Sequence, residues 1–271
     1  LEAHFGVDLF ERTSKGLRLN ASGEHLVIYA RAQLAELDRV RGELRDIKKA
    51  TSGHVRICAS QSVLESFLPV HLARFRQKNS NVTVTVNHSS SVRALQDLQE
   101  FQSDIGLCLN MPDHAGLSIL GETEQIIYAV VSQDHPLAGV EEITLSEIAE
   151  HDVLLPPLGS GLRLMLDQQA AREDIALTPA VESNTYASIA RACRGGGMMT
   201  FGLSMYEAEG AETRSVALLR IKKMKPAIVR LVKLQGRTLS PATSKLSKFL
   251  AKKLRSAAKH LDGEPEEGKS I

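Results

Sequence analysis

A chain of 271 residues suits about two domains. Its 43% hydrophobic and 24% charged residues are ordinary for a globular protein with a sizeable core. A formal net charge of +1 neither requires nor excludes a nucleic-acid partner, so any such claim rests on local patches. No stretch approaches ~18 uninterrupted apolar residues, so no membrane span is expected. The three cysteines, Cys58, Cys108 and Cys193, are far apart and have no C-x-x-C or Cys/His ligand spacing, which argues against a disulfide framework or a zinc site. Cys58 and Cys108 lie in apolar runs and read as buried strand residues. The start has no signal-peptide pattern, and the cytoplasm is the expected compartment. Residue 1 is Leu rather than Met, so the front is expected to be missing or cut.

Residues 7–19, VDLFERTSKGLRL, alternate around Ser14-Lys15-Gly16 and predict a β-hairpin with Arg12, Lys15 and Arg18 at or beside its tip. Such a tip suits either a phosphate backbone or plain solvent. Asn20 is a good N-cap, and the period then changes. Leu26, Ala30, Gln33, Leu37, Val40, Leu44 and Ile47 follow at spacings of 4, 3, 4, 3, 4 and 3. This seam predicts a helix from about Ala21 to Lys49 that buries its stripe on a partner helix or on the following domain.

After Thr51-Ser52-Gly53, strands and helices alternate. HVRICAS, VTVTVNH and DIGLCL read as strands. VLESFLPVHLARFRQKN and VRALQDLQEF read as the helices between them. The order predicts an α/β domain with a largely parallel sheet. A second unit follows with IIYAVVS, TLSEIAE, DVLLPP, GLRLMLDQQAARED, AVES, TYASIARAC and MMTFGLS. AIVRLVKL reads as a late strand and SKLSKFLAKKLRSAAKH as a closing basic helix. Residues 261–271 are expected to form a disordered tail.

No catalytic motif is present: there is no G-x-S-x-G, Walker A loop, H-E-x-x-H or G-x-G-x-x-G. No catalytic residue, metal ligand or cofactor is therefore assigned. Three polar clusters fall where a strand gives way to a helix: Ser60-Gln61-Ser62, Ser89-Ser90-Ser91 and Asn184-Thr185. Hydroxyls and helix N–H groups there can orient a small anion, and the same residue types also serve as plain N-caps.

In order, these segments resemble the LysR-type transcriptional regulators. LEAHFGVDLFERTSKGLRLNASGEHL is similar to that family's stretch from the end of the recognition helix through the wing into the linker helix. GSGLR at 159–163, LSPAT at 239–243, FLPVHLARFRQKNSNVTVTV and SDIGLCL fit as well. The resemblance covers about residues 1–258. It implies the remnant of a winged helix-turn-helix (1–20), a linker and dimerisation helix (21–50), and a two-lobed, type II periplasmic-binding-protein-like effector domain. Lobe I would take 53–125 and 226–260, and lobe II 126–225. It further implies promoter DNA, a small effector such as a carboxylate, and a homodimer or homotetramer. Ser60, Ser62, Ser91, Asn184 and Thr185, with Gln61 in the same cluster, become effector contacts. Arg12, Ser14 and Lys15 become wing contacts to the DNA backbone. The base-reading residues would precede Leu1. GGGMMTFGLS also lacks the proline that this family often carries after its Gly turn. The alternatives are a solute-binding protein that only captures a small molecule, and an α/β enzyme using the same cleft.

Overall fold

The computed structural model describes residues 1–14, 16–48, 52–111, 113–183, 197–204 and 216–259. Lys15, Asn184, Thr185, Cys193 and the tail 261–271 lie outside these residues.

The chain opens with one helical turn, α1 (Glu2–Phe5), and an antiparallel hairpin of β1 (Phe10–Thr13) and β2 (Gly16–Leu19). Gly16 supplies φ +120° at the tip, a value that L side chains rarely adopt. The long helix α2 (Ala21–Lys48) follows, about 42 Å at 1.5 Å per residue. Asn20 joins the two parts. Its Oδ1 accepts from the Gly23 N–H at 2.9 Å, and its Nδ2 donates to the Asp8 carbonyl at 2.8 Å. Gly23 is required here, because a Cβ at this position would lie 2.1 Å from the Leu9 oxygen.

The main sheet has the order β4-β3-β5-β13-β6. It comprises β3 (Gly53–Ala59), β4 (Val82–His88), β5 (Ile105–Leu109), β6 (Leu117–Gln125) and β13 (Ala227–Leu234). β3 pairs in parallel with β4 and β5, while β13 runs antiparallel to β5 and β6. The sheet is therefore mixed rather than largely parallel, because its fourth strand returns from the other sheet. β6 was not evident in the sequence. The expected helix over 63–79 is two helices, α3 (Gln61–Ser66) and α4 (Leu68–Lys78), parted at Phe67. Pro69 has no N–H with which to continue the first ladder. α5 (Ser91–Gln99) connects β4 to β5, and α8 (Pro241–Lys259) closes the chain.

A second sheet has the order β11-β7-β12-β8, made of β7 (Ile127–Ser132), β8 (Glu142–Ile143), β11 (Thr200–Leu203) and β12 (Val216–Ile221). The sequence pattern does not predict β12 either. Around this sheet lie α6 (Leu145–Ile148), α7 (Gly161–Arg172) and the short parallel pair β9 (Leu154–Leu155) and β10 (Val181–Glu182). The chain passes between the two sheets twice, at Gln125–Ile127 and between Ile221 and Ala227. At the first crossing, the Ser204 hydroxyl donates to Gln125 Oε1 and accepts from the Ile126 N–H, each at 3.0 Å.

β5 is buried along its whole length, as a central strand covered on both faces must be. Buried side chains such as Ile57, Leu107 and Leu250 each contribute about 1.5–3 kcal/mol. Cys58 and Cys108 are buried here too, and burial pushes the Cys58 thiol up to about 12. Asp104 anchors the entry to β5. It accepts from Arg237 Nη2 at 2.7 Å, Arg56 Nη2 at 3.0 Å and the Arg56 N–H at 2.8 Å. The Arg237 guanidinium also covers the Phe101 ring at 4.8 Å.

His71 of α4 is buried against Phe67 and Phe249, with ring centroids 4.2 and 6.4 Å away. Burial lowers its pKa from 6.5 to about 4, assisted by Lys253 and Arg74. Between these values the unfolded chain binds more protons than the native one, so stability falls as pH drops from about 6.5 towards 4 and then levels off. From pH 7 to pH 4.5 the parent should lose about 2–3 kcal/mol more than His71→Leu in urea denaturation. Parallel losses would show that His71 does not set this pH dependence.

Candidate functional site

A cavity of about 340 Å³ opens where α7 of the second unit meets the ends of β3 and β5 in the first. Such a volume suits a small molecule. One wall is polar, formed by residues 60–62 and 88–91. The other comprises residues 156–162, in which Pro156, Pro157, Leu158 and Leu162 present apolar surface.

Three helices begin at this cavity, α3 at Gln61, α5 at Ser91 and α7 at Gly161. Each brings first-turn N–H groups that no helical carbonyl can accept from, along with the positive end of its dipole. Ser90 and Ser160 act as true N-caps, their hydroxyls accepting from Arg93 N–H and Arg163 N–H at 3.2 Å. The N–H groups of Gln61, Ser62, Ser91, Val92, Gly161 and Leu162 have no acceptor among the described residues. Among the described residues, no Lys or Arg lines the cavity. Among the described residues, an anion here would be met by N–H and hydroxyl groups and by the His88 imidazole rather than by a Lys or Arg side chain.

The structure brings Ser60, Gln61, Ser62 and Ser91 together on this wall. Capping, the competing reading for these clusters, is not what the Ser60 and Ser91 hydroxyls do. Ser60 Oγ accepts from the Leu109 N–H at 3.1 Å, and Ser91 Oγ donates to the Leu109 carbonyl. Ser60 keeps a proton to donate, and Ser91 keeps a lone pair. The Gln61 amide is engaged by Glu65. Ser62 Oγ has no partner among the described residues.

The GSGLR loop forms the opposite wall. Gly159 has φ +86°, and a Cβ on Gly161 would lie 3.1 Å from the Leu109 oxygen and 3.6 Å from Ser91 Oγ. Arg163 points away from the cavity and ties the loop down. It binds both Asp167 carboxylate oxygens at 2.8 and 3.0 Å, Glu182 at 2.8 Å and the Pro156 carbonyl at 3.1 Å.

On the hairpin, Arg12, Ser14 and Arg18 are exposed. Along α2, Leu37 and Val40 are 45% and 37% exposed, Ala30 and Gln33 are exposed, and Leu26 is half-buried. Leu44 and Ile47 fall within α2, but their side chains lie outside the description. Among the described residues, no cluster of three or more His, Cys, Asp or Glu could hold a metal ion, and no helix is long and apolar enough to cross a membrane.

The family model of the LysR substrate binding domain matches residues 48–255. The RuBisCO operon transcriptional regulator of Allochromatium vinosum is 25% identical over 252 residues, covering 92% of this chain and 83% of its own. Solved structures that share the fold include two complexes. Full-length CbnR complexed with its target DNA has a TM-score of 0.67 at 18% identity, covering 95% of this chain and 86% of that one. The effector binding domain of QuiR in complex with shikimate has a TM-score of 0.61 at 20% identity, covering 77% and 99%.

The close approach at Gly161 has a measurable consequence. Gly161→Val should cost about 1–3 kcal/mol in urea denaturation by forcing α7 off Leu109. Gly139→Val, with open space around its Cβ, should stay within about 0.5 kcal/mol of the parent. Equal costs would mean that α7 does not depend on this contact.

Proposed function

The chain belongs to the LysR family of transcriptional regulators, and from that premise we propose that it senses a small carboxylate in the cavity beside Leu109. One observation carries this reading: three helix N-termini and the Ser62 hydroxyl converge on a cavity that no Lys or Arg among the described residues lines. Such a site favours a single negative charge over a dianion, with an apolar or neutral body against Pro156, Leu158 and Leu162. Shikimate, which the QuiR domain holds, is one such carboxylate. Ser60, Gln61, Ser62 and Ser91 are the proposed effector contacts, with Asn184 and Thr185 completing the set.

In the same reading, residues 53–125 and 226–260 form lobe I and 126–225 form lobe II. A ligand touching α3 and α5 on one side and α7 on the other favours whichever lobe arrangement brings both within reach. Residues 1–20 belong to the DNA-binding head, where Arg12, Ser14 and Lys15 rest on phosphates and leave base reading to other residues. Helix 21–50 pairs with a second copy through its seam, giving a homodimer or homotetramer that holds promoter DNA in the cytoplasm. A protein that only captured a solute would have no use for this exposed seam.

Two experiments test the reading. In calorimetry against a panel of small carboxylates, the combined Ser60→Ala and Ser91→Ala variant should bind the best ligand more weakly by about 1–3 kcal/mol. Unchanged affinity would return both serines to a purely structural role. In light scattering, Leu37→Glu with Val40→Glu should lower the mass of the assembly while thermal unfolding of the effector domain stays cooperative. A variant that kept the parent's mass would refute pairing through α2.

A further inference from the structure

α4 and α8 pack against each other through Phe75 and Phe249, whose ring centroids are 5.5 Å apart. Together they carry three and six Lys or Arg, and neither contains an Asp or Glu. In a chain with 33 cations and 32 carboxylates, that is a pronounced local segregation of charge.

The segregation is ordered. Lys245, Lys248, Lys252 and Arg255 follow at spacings of 3, 4 and 3, so they lie along one helix face over about 15 Å. All four are exposed, and Leu246, Leu250 and Leu254 on the opposite face are buried in the core. Elsewhere the arginines at 56, 93, 163, 230 and 237 each pair with a carboxylate. No carboxylate among the described residues pairs with any of the four on α8. The sheet beneath does not neutralise them. β6 turns Gly121 towards Ala251 of α8, so Glu122 and Glu124 fall on the other side, where Glu122 binds Arg230 at 3.1 Å. Arg74 of α4 and Lys253 of α8 flank the same buried His71, which extends the positive field across the seam between the two helices.

We propose that this α4–α8 face holds the phosphate backbone of duplex DNA without regard to sequence, as a second contact separate from the hairpin. The chemistry favours this occupant. A lipid-binding helix exposes apolar residues beside its cations, whereas the apolar side of α8 is buried on the sheet. A protein interface has an aromatic and apolar centre poor in lysine, and this face has the reverse. A regular row of cations with no carboxylate partner among the described residues fits a regular row of phosphates. The proposal is independent of the effector reading.

The test is fluorescence anisotropy with a short labelled duplex of arbitrary sequence, over a series of salt concentrations. It compares the parent, K245Q/K248Q/K252Q/R255Q, and R12Q/R18Q as a hairpin control. Each phosphate contact contributes about 0.9 to the slope of log affinity against log salt. The quadruple variant should therefore flatten that slope by about 3.6, so that a threefold rise in salt costs the parent about fifty-fold more affinity. The pairs K245Q/K248Q and K252Q/R255Q should each give about half the change, and circular dichroism checks that every variant keeps its helix. An unchanged slope would overturn the proposal, as would a change seen only in the hairpin control. Charge-dependent binding to phosphatidylserine vesicles without binding to duplex would overturn it in favour of a lipid surface.

Discussion

The peptide unit of Leu109 is held on both sides by side chains distant in sequence. Its N–H donates to Ser60 at the end of β3, and its carbonyl accepts from Ser91 at the start of α5. Gly161, the first residue of α7, leaves room for that carbonyl where any side chain would crowd it. Three helices are thereby made to start around one point, and the cavity is the space left between their first turns. A hydrogen bond of this kind contributes about 1 kcal/mol net, yet leaving a buried donor or acceptor unpaired costs more. The serines are thus constrained by folding as well as by whatever binds beside them. The next residue, Asn110, carries the constraint onward: it has φ 47°, and its Oδ1 accepts from Ile228 N–H at 2.8 Å where the chain returns in β13.

Charge is used in two ways. Inside the first unit, Asp104 gathers Arg56 and Arg237, and this buried cluster fixes the entry of β5 as Leu109 fixes its exit. Removing one partner of such a cluster is costly, because it strands a buried charge. At the cavity the described residues offer N–H groups, hydroxyls and the His88 imidazole, and no Lys or Arg. Its electrostatic preference is correspondingly modest and directional, which suits a ligand that must bind and leave as its concentration changes. Arg163 shows the division of labour. It stands within the most recognisable loop of the sequence, yet its guanidinium braces the wall from behind.

Much of this was legible because it is local. The hairpin, the Asn20 cap, the heptad helix and the β3–β4–β5 strands follow from period and turn chemistry over a few residues each. The GSGLR and wing motifs pointed to the family that the matched model then established. The missed features depend on distant partners. β6 is half-buried along much of its length and has no clean alternation, because one side lies under α8 and the other faces Arg230. The mixed sheet arises from a strand that returns after a hundred residues in the second unit. Ser60 reaches Leu109 across 49 positions, a bond that no local pattern encodes. Pro69, by contrast, was a visible signal for the break at Phe67 that periodicity alone overrode.

Whether the N–H groups around Leu109 receive an anion decides how the cavity works. A titration of the isotope-labelled chain with benzoate and with shikimate, followed by backbone amide NMR, addresses it most directly. The amides of Ser62, Val92, Gly161 and Leu162 are expected to shift together, with one dissociation constant, before any other region responds. Shifts confined to surface lysines and arginines, or binding that leaves these four amides unmoved, would contradict it.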